Sequence, residues 1–119
     1  MKNRPTNEQK KEFWERYGIV FTEDKAGIVA SFNEIVVFYG ILPLTMNNLF
    51  RYAVDWDEID TIQFSYDGKG CHSWLYMKKL IGKPFHGSGE TEALALFWAI
   101  CSTIQGGKLR SYIPRVGEV

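Results

Sequence analysis

At 119 residues, with 14 basic and 14 acidic side chains cancelling, the chain is long enough to bury one core and carries no global field to draw it to nucleic acid. It has no apolar run of the roughly 18 residues that a spanning helix needs, which excludes a helical membrane span. Residues 1–13 lack the apolar centre of a signal peptide, so the default location is cytoplasmic, and Cys71 and Cys101 read as reduced thiols there, with a disulfide as the minority reading.

Residues 1–5 read as a loose basic lead-in. Thr6, Asn7, Glu8 and Gln9 form a capping box, which opens a short helix with Phe13, Trp14 and Tyr17 on one stripe and Gly18 at its end. Residues 19–21, 28–32 and 35–39 are rich in Val, Ile and aromatic side chains and are separated by polar turns, the pattern of a three-stranded meander. Thr45 caps a second short helix predicted over residues 46–54, with Met46, Leu49, Phe50 and Ala53 sharing a face. An acidic loop follows around Trp56. Residues 61–66 and 72–77 form a strand pair closed by the turn Asp67, Gly68, Lys69, Gly70, and the alternation of Ile62 and Phe64 with Gln63 and Ser65 leaves one face wet.

Residues 78–87 read as a polar, glycine-punctuated loop into the helix that organises the chain. Between Ala93 and Ile104 the only polar residues are Ser102 and Thr103. Leu94, Phe97, Trp98, Cys101 and Ile104 make one apolar stripe, and Leu96 and Ile100 make another. Ala95, Ala99 and Ser102 are small enough for a neighbour to approach closely. A helix apolar over most of its circumference has to be covered on several sides, each large side chain contributing roughly 1.5–3 kcal/mol on burial. The basic tail beyond Gly107 reads as an edge strand over residues 109–113 or as partly disordered, with a flexible end over residues 114–119.

The segments EFWERYGI, LPLTMNNLFRYAV and ETEALALFWAI occur in this order over residues 12–100. With them the chain resembles small phage, prophage and environmental bacterial proteins of the phage "ABA sandwich" type, over most of residues 12–104. That resemblance implies an α/β sandwich and a mobile-element setting, and implies no reaction and no catalytic residues. The chain departs from the type in its longer strand region before Leu42 and in the loop-rich residues 78–87.

No constellation for catalysis stands out. Cys71 and His72 are adjacent, so on a strand they point to opposite faces and do not chelate one ion, and no CxxC or HExxH motif occurs; no metal or other cofactor is expected. His86, Gly87, Ser88 and Gly89, with Lys83 upstream, precede a helix whose free N–H groups suit an anion. Against that, Glu90 and Glu92 already complement the helix dipole, and capping with chain reversal is the plainer reading. Asp55, Trp56, Asp57 and Glu58 read as a solvated loop or as a partner contact built on an exposed ring. Basic residues at the two ends (Lys2, Arg4, Lys10 and Lys11; Lys108, Arg110 and Arg115) are the only footing for nucleic acid, which is the weaker expectation.

The expected fold is a single α+β domain, with an antiparallel sheet of about four or five strands packed by the buried C-terminal helix and two shorter helices. The expected function is a non-enzymatic interaction module of a phage or mobile element, with counter-defence as one setting. Its partner would be a host or phage protein, and a homodimer stays open. The alternative is binding of a small anion or nucleotide at the helix entrance over residues 87–90.

Overall fold

The computed structural model describes residues 4–80 and 82–106. In chain order the elements are α1 (Asn7–Arg16), β1 (Ile19–Asp24), β2 (Gly27–Phe32), β3 (Ile35–Tyr39), α2 (Met46–Asn48) with a π-helical continuation (Leu49–Ala53), β4 (Ile59–Asp67), β5 (Gly70–Met77), β6 (Phe85–Gly89) and α3 (Glu92–Gly106). The α+β class is as expected, but the strands form two antiparallel sheets of three, β1-β2-β3 and β4-β5-β6, instead of one sheet of four or five. Part of the difference is β6, which takes up glycine-rich residues read as loop. The chain divides into two compact units, Arg4–Ala53 and a second from Val54 onward. The tail expected as a strand over residues 109–113 lies outside the described residues, as do Lys2, Lys108, Arg110 and Arg115.

In the first unit the sequence signals translate directly. The Thr6 hydroxyl accepts from the Gln9 amide at 3.1 Å and the Gln9 side chain accepts from the Thr6 amide at 2.8 Å, closing the capping box. Pro5, read as part of a loose lead-in, is buried. Phe13 and Trp14 are buried, and the Trp14 indole N–H donates to the Leu42 carbonyl at 2.8 Å. Trp14, Tyr52 and Phe32 then meet edge to face in sequence. Two devices fix the meander. Asp24 Oδ1 accepts from the Ala26 and Gly27 amides, and Asn33 and Glu34 both take positive φ (51° and 68°) to make the two-residue turn from β2 to β3.

The second helix departs from its α pattern. Only Met46–Asn48 are α-helical, and Leu49–Ala53 are wound more loosely. Leu49 and Ala53 are buried while Phe50 is exposed, so the expected four-residue apolar face is split. A π turn has more than four residues per turn, which carries Phe50 off the line of its neighbours.

In the second unit, Asp67 Oδ1 accepts from the Lys69 and Gly70 amides at 2.8 and 3.0 Å and closes the β4–β5 hairpin with the device used at Asp24. β5 alternates strictly: Cys71, Ser73 and Leu75 are buried, and His72, Trp74 and Tyr76 are half-buried on the other face. α3 packs across β6 and β5. Its approach to β6 is so close that a Cβ on Gly87 would overlap the Ala99 amide and the Ala95 carbonyl, and one on Gly89 would lie 2.7 Å from the Leu94 Cβ. The small residues of the helix meet the glycines of the strand, as Ala95 and Ala99 suggested. Ala95, Leu96, Phe97, Ala99 and Ile100 are buried, whereas Leu94, Trp98, Cys101 and Ile104 are only partly so; both residues of the second stripe are thus in the core, and of the first stripe Phe97 alone is. Among the described residues no helix is long and apolar enough to cross a membrane.

Candidate functional site

The glycine segment is a strand, which changes what it can do. The loop expected over residues 78–87 ends early, and Phe85–Gly89 pairs with β5 so that His86 lies opposite Trp74, Gly87 opposite Ser73 and Ser88 opposite His72. Gly87 and Gly89 are buried on the side of α3, and His86 and Ser88 belong to the other face. The segment is therefore not itself a helix entrance. α3 begins at Glu92, and Thr91 caps it: its hydroxyl accepts from the Leu94 amide at 3.2 Å and its carbonyl from the Ala95 amide at 3.0 Å. The structure brings His86 and Ser88 together, turns Gly87 and Gly89 away from them, and leaves Lys83 exposed on the β5–β6 connection.

What His86 meets is His72, which the sequence singles out only as the neighbour of Cys71. His72 stands between Asp67 and His86, with Nε2 2.8 Å from Asp67 Oδ2 and Nδ1 2.8 Å from His86 Nε2. A carboxylate only accepts, so Nε2 of His72 carries a proton, and Nδ1 accepts from His86 when the pair is neutral. The two imidazole planes lie within 18° of each other with centroids 5.1 Å apart. That separation exceeds the nitrogen separation by about the two ring radii, so the nitrogens face each other in line. The Trp74 ring packs on His86 at a centroid distance of 4.2 Å, tilted 31°. The Asp67 carboxyl lies below its ordinary range, first because His72 donates to it and then because the Lys69 amide does.

An open recess of about 90 Å³ adjoins this chain of groups, lined by Asp67, Lys69, Gly70, Cys71, His72, Ser88 and Gly89. The chemistry available there is proton sharing. Two imidazole nitrogens aimed at one another leave no space for an ion between them, and among the described residues no three His, Cys, Asp or Glu side chains converge as metal ligands. Cys71 faces away from His72, and burial pushes its thiol up, opposite to what a nucleophile requires. Both cysteines are free thiols.

The second expected site is an exposed turn. Asp55 caps it, its carboxylate accepting from the Asp57 amide at 3.0 Å and its carbonyl from the Glu58 and Ile59 amides. Asp55, Asp57 and Glu58 are exposed, and Trp56 is 51% exposed.

A larger apolar surface lies on the first sheet. β3 is an edge strand, Ile-Val-Val-Phe-Tyr, paired only with β2. Ile35 is 68% exposed, Val36 46%, Phe38 38% and Tyr39 80%, so both faces of the strand meet water. The opposite edge, β1, ends in Glu23 and Asp24; β3 carries no charge and no proline. Its composition was legible in the sequence, but its edge position was not.

Comparison with known proteins gave no matching family model, no matching curated protein and no matching solved structure.

Proposed function

We propose that the protein is a non-enzymatic interaction module that docks an extended apolar segment of another protein along the free edge of β3. The observation that carries this reading is the exposure of an uncharged apolar strand on both faces at a sheet edge. Soluble proteins blunt such edges with charges, prolines, bulges or a cover, because unpaired backbone groups beside apolar side chains recruit any strand that fits; β3 carries no charge and no proline, and its one irregularity is a register shift against β2 between Ala30 and Ser31. A partner strand added there would gain ladder hydrogen bonds and would cover Ile35, Val36, Phe38 and Tyr39. A mobile-element setting, with a host or phage protein as the partner and counter-defence as one use, is part of the same proposal and rests on the resemblance of residues 12–19, 42–54 and 90–100 alone.

The test compares two variants as baits. Val36→Lys/Tyr39→Lys charges the edge, and Trp56→Ala/Asp57→Ala strips the acidic turn. Both are expected to leave the far-ultraviolet circular dichroism unchanged, because the substituted side chains are exposed. The proposal expects the first to release the partner captured by the wild type and the second to retain it. Loss of the partner only with the second moves the interface to the turn, and retention by both overturns the docking role of β3. Self-association abolished by the edge charges would identify a second copy as the partner.

A further inference from the structure

Resting on the docking reading of β3, we propose that a second copy of the chain occupies that edge while no partner does, the two β3 strands pairing antiparallel about an axis between Val37 and Phe38. In the first sheet Ile35 lies opposite Phe32, Val36 opposite Ser31, Phe38 opposite Ala30 and Tyr39 opposite Val29, so Val37 is an extra residue. The two-residue turn, with positive φ at Asn33 and Glu34, makes Phe32 and Ile35 a hydrogen-bonded pair. Alternation along the antiparallel ladder then turns the N–H and C=O of Val36 and of Tyr39 away from β2 and toward the free edge.

The extra residue also sorts the side chains. Val36 and Tyr39, three apart, fall on one face: Val36 shares a row with Ser31 and Val20, and Tyr39 shares one with Val29 and Thr22. That face is turned away from Ile19 and Ala30, which are 1% and 0% exposed. Pairing about the stated axis sets Val36 opposite Tyr39 of the second copy and Tyr39 opposite its Val36, each pair exchanging ladder bonds. Both strands carry the same three-residue spacing, so the two sets of outward groups coincide. The row from Val20 through Val36 then continues into Tyr39 and Val29 of the second copy. Glu34 falls opposite Ile41 and Ile35 opposite Gly40, so no charge meets a like charge, and Glu23 and Asp24 stand on the far edge of the sheet. The charges that keep most free edges apart are missing from this register. Five residues of strand cover less than the roughly 1,000 Å² of a stable interface, so the pair separates on dilution and yields to a partner that covers more.

Sedimentation equilibrium of the full chain, from the micromolar into the millimolar range, tests the pairing. The mass is expected to rise from one chain toward two. Val36→Lys/Tyr39→Lys stays at one chain throughout, whereas Val20→Lys, on the same face but on the far strand, associates as the wild type does. In a sample mixing isotope-labelled and unlabelled chains, filtered NOEs run from the Val36 methyls of one copy to the Tyr39 ring of the other. Adding the captured partner replaces the dimer by complexes of one chain each. One chain at every concentration would overturn the pairing and leave capture of a partner at the edge standing. Dimers that survive the edge charges, or that Val20→Lys alone abolishes, would also overturn it, the second result by moving the contact to the sheet face. NOEs from Val36 to Val36 of the second copy would overturn the register, and a partner complex that keeps two paired chains would overturn the displacement.

Discussion

Gly87 on β6 and Ala99 on α3 are in backbone contact: a single Cβ added at Gly87 would occupy the space of the Ala99 amide. The helix cannot lie so close to a strand bearing side chains there. Gly87→Ala therefore forces α3 off the sheet or distorts β6. Overpacking of this kind costs about 1–3 kcal/mol and more when the obstacle is backbone. Urea denaturation checks it, with Ser88→Ala on the opposite face expected to stay within about 0.5 kcal/mol of wild type.

Trp14 is fully buried and its indole N–H satisfies the Leu42 carbonyl. Trp14→Phe keeps a ring in place but leaves that carbonyl without its donor and opens a gap. The expected loss is about 2–4 kcal/mol from the two effects together, read from the denaturation midpoint.

The β2–β3 turn holds Glu34 at φ 68°, a conformation that costs a side-chain-bearing residue about 1 kcal/mol or more. Glu34→Gly gives Asn-Gly, the pair that this turn geometry favours. The melting temperature should rise, by the equivalent of about 0.5–1 kcal/mol after the entropy that glycine adds to the unfolded chain.

Asp67 has its carboxyl held below the ordinary value of 3.8 in the folded chain. A depressed carboxylate contributes stability that is present above its unfolded value and is lost as pH falls through the folded one. Asp67→Asn keeps an oxygen for the Lys69 and Gly70 amides but removes the charge. The variant should be less stable than wild type at neutral pH, and the difference should shrink below pH 3.8 as the native carboxyl is protonated. A constant difference across that range, measured by thermal melts, would count against the His72–Asp67 pair as its source.

The sequence was most informative where a local device sets the backbone. Thr6 with Gln9, the Asp67 turn and the alternation of Ile62 and Phe64 with Gln63 and Ser65 all appear in the structure as read. It was least informative where distant packing decides. Gly87 and Gly89 weaken any strand reading because glycine suits loops, yet here they are glycine because α3 lies against them. With β6 unread, nothing placed His86 across from Trp74 or beside His72, so the row of Asp67, His72 and His86 stayed hidden. The split of Leu49 and Phe50 had the same cause, a π turn that no spacing rule anticipates. The edge position of β3 depends on strand order, which periodicity does not encode.

The docking role of β3 is tested most directly by backbone amide exchange over residues 35–39, compared between the protein alone and its complex with the captured partner. The account predicts fast exchange at the free edge of β3 and marked slowing there in the complex, as new ladder hydrogen bonds form. Unchanged exchange across β3, with protection appearing around Trp56 instead, would contradict it.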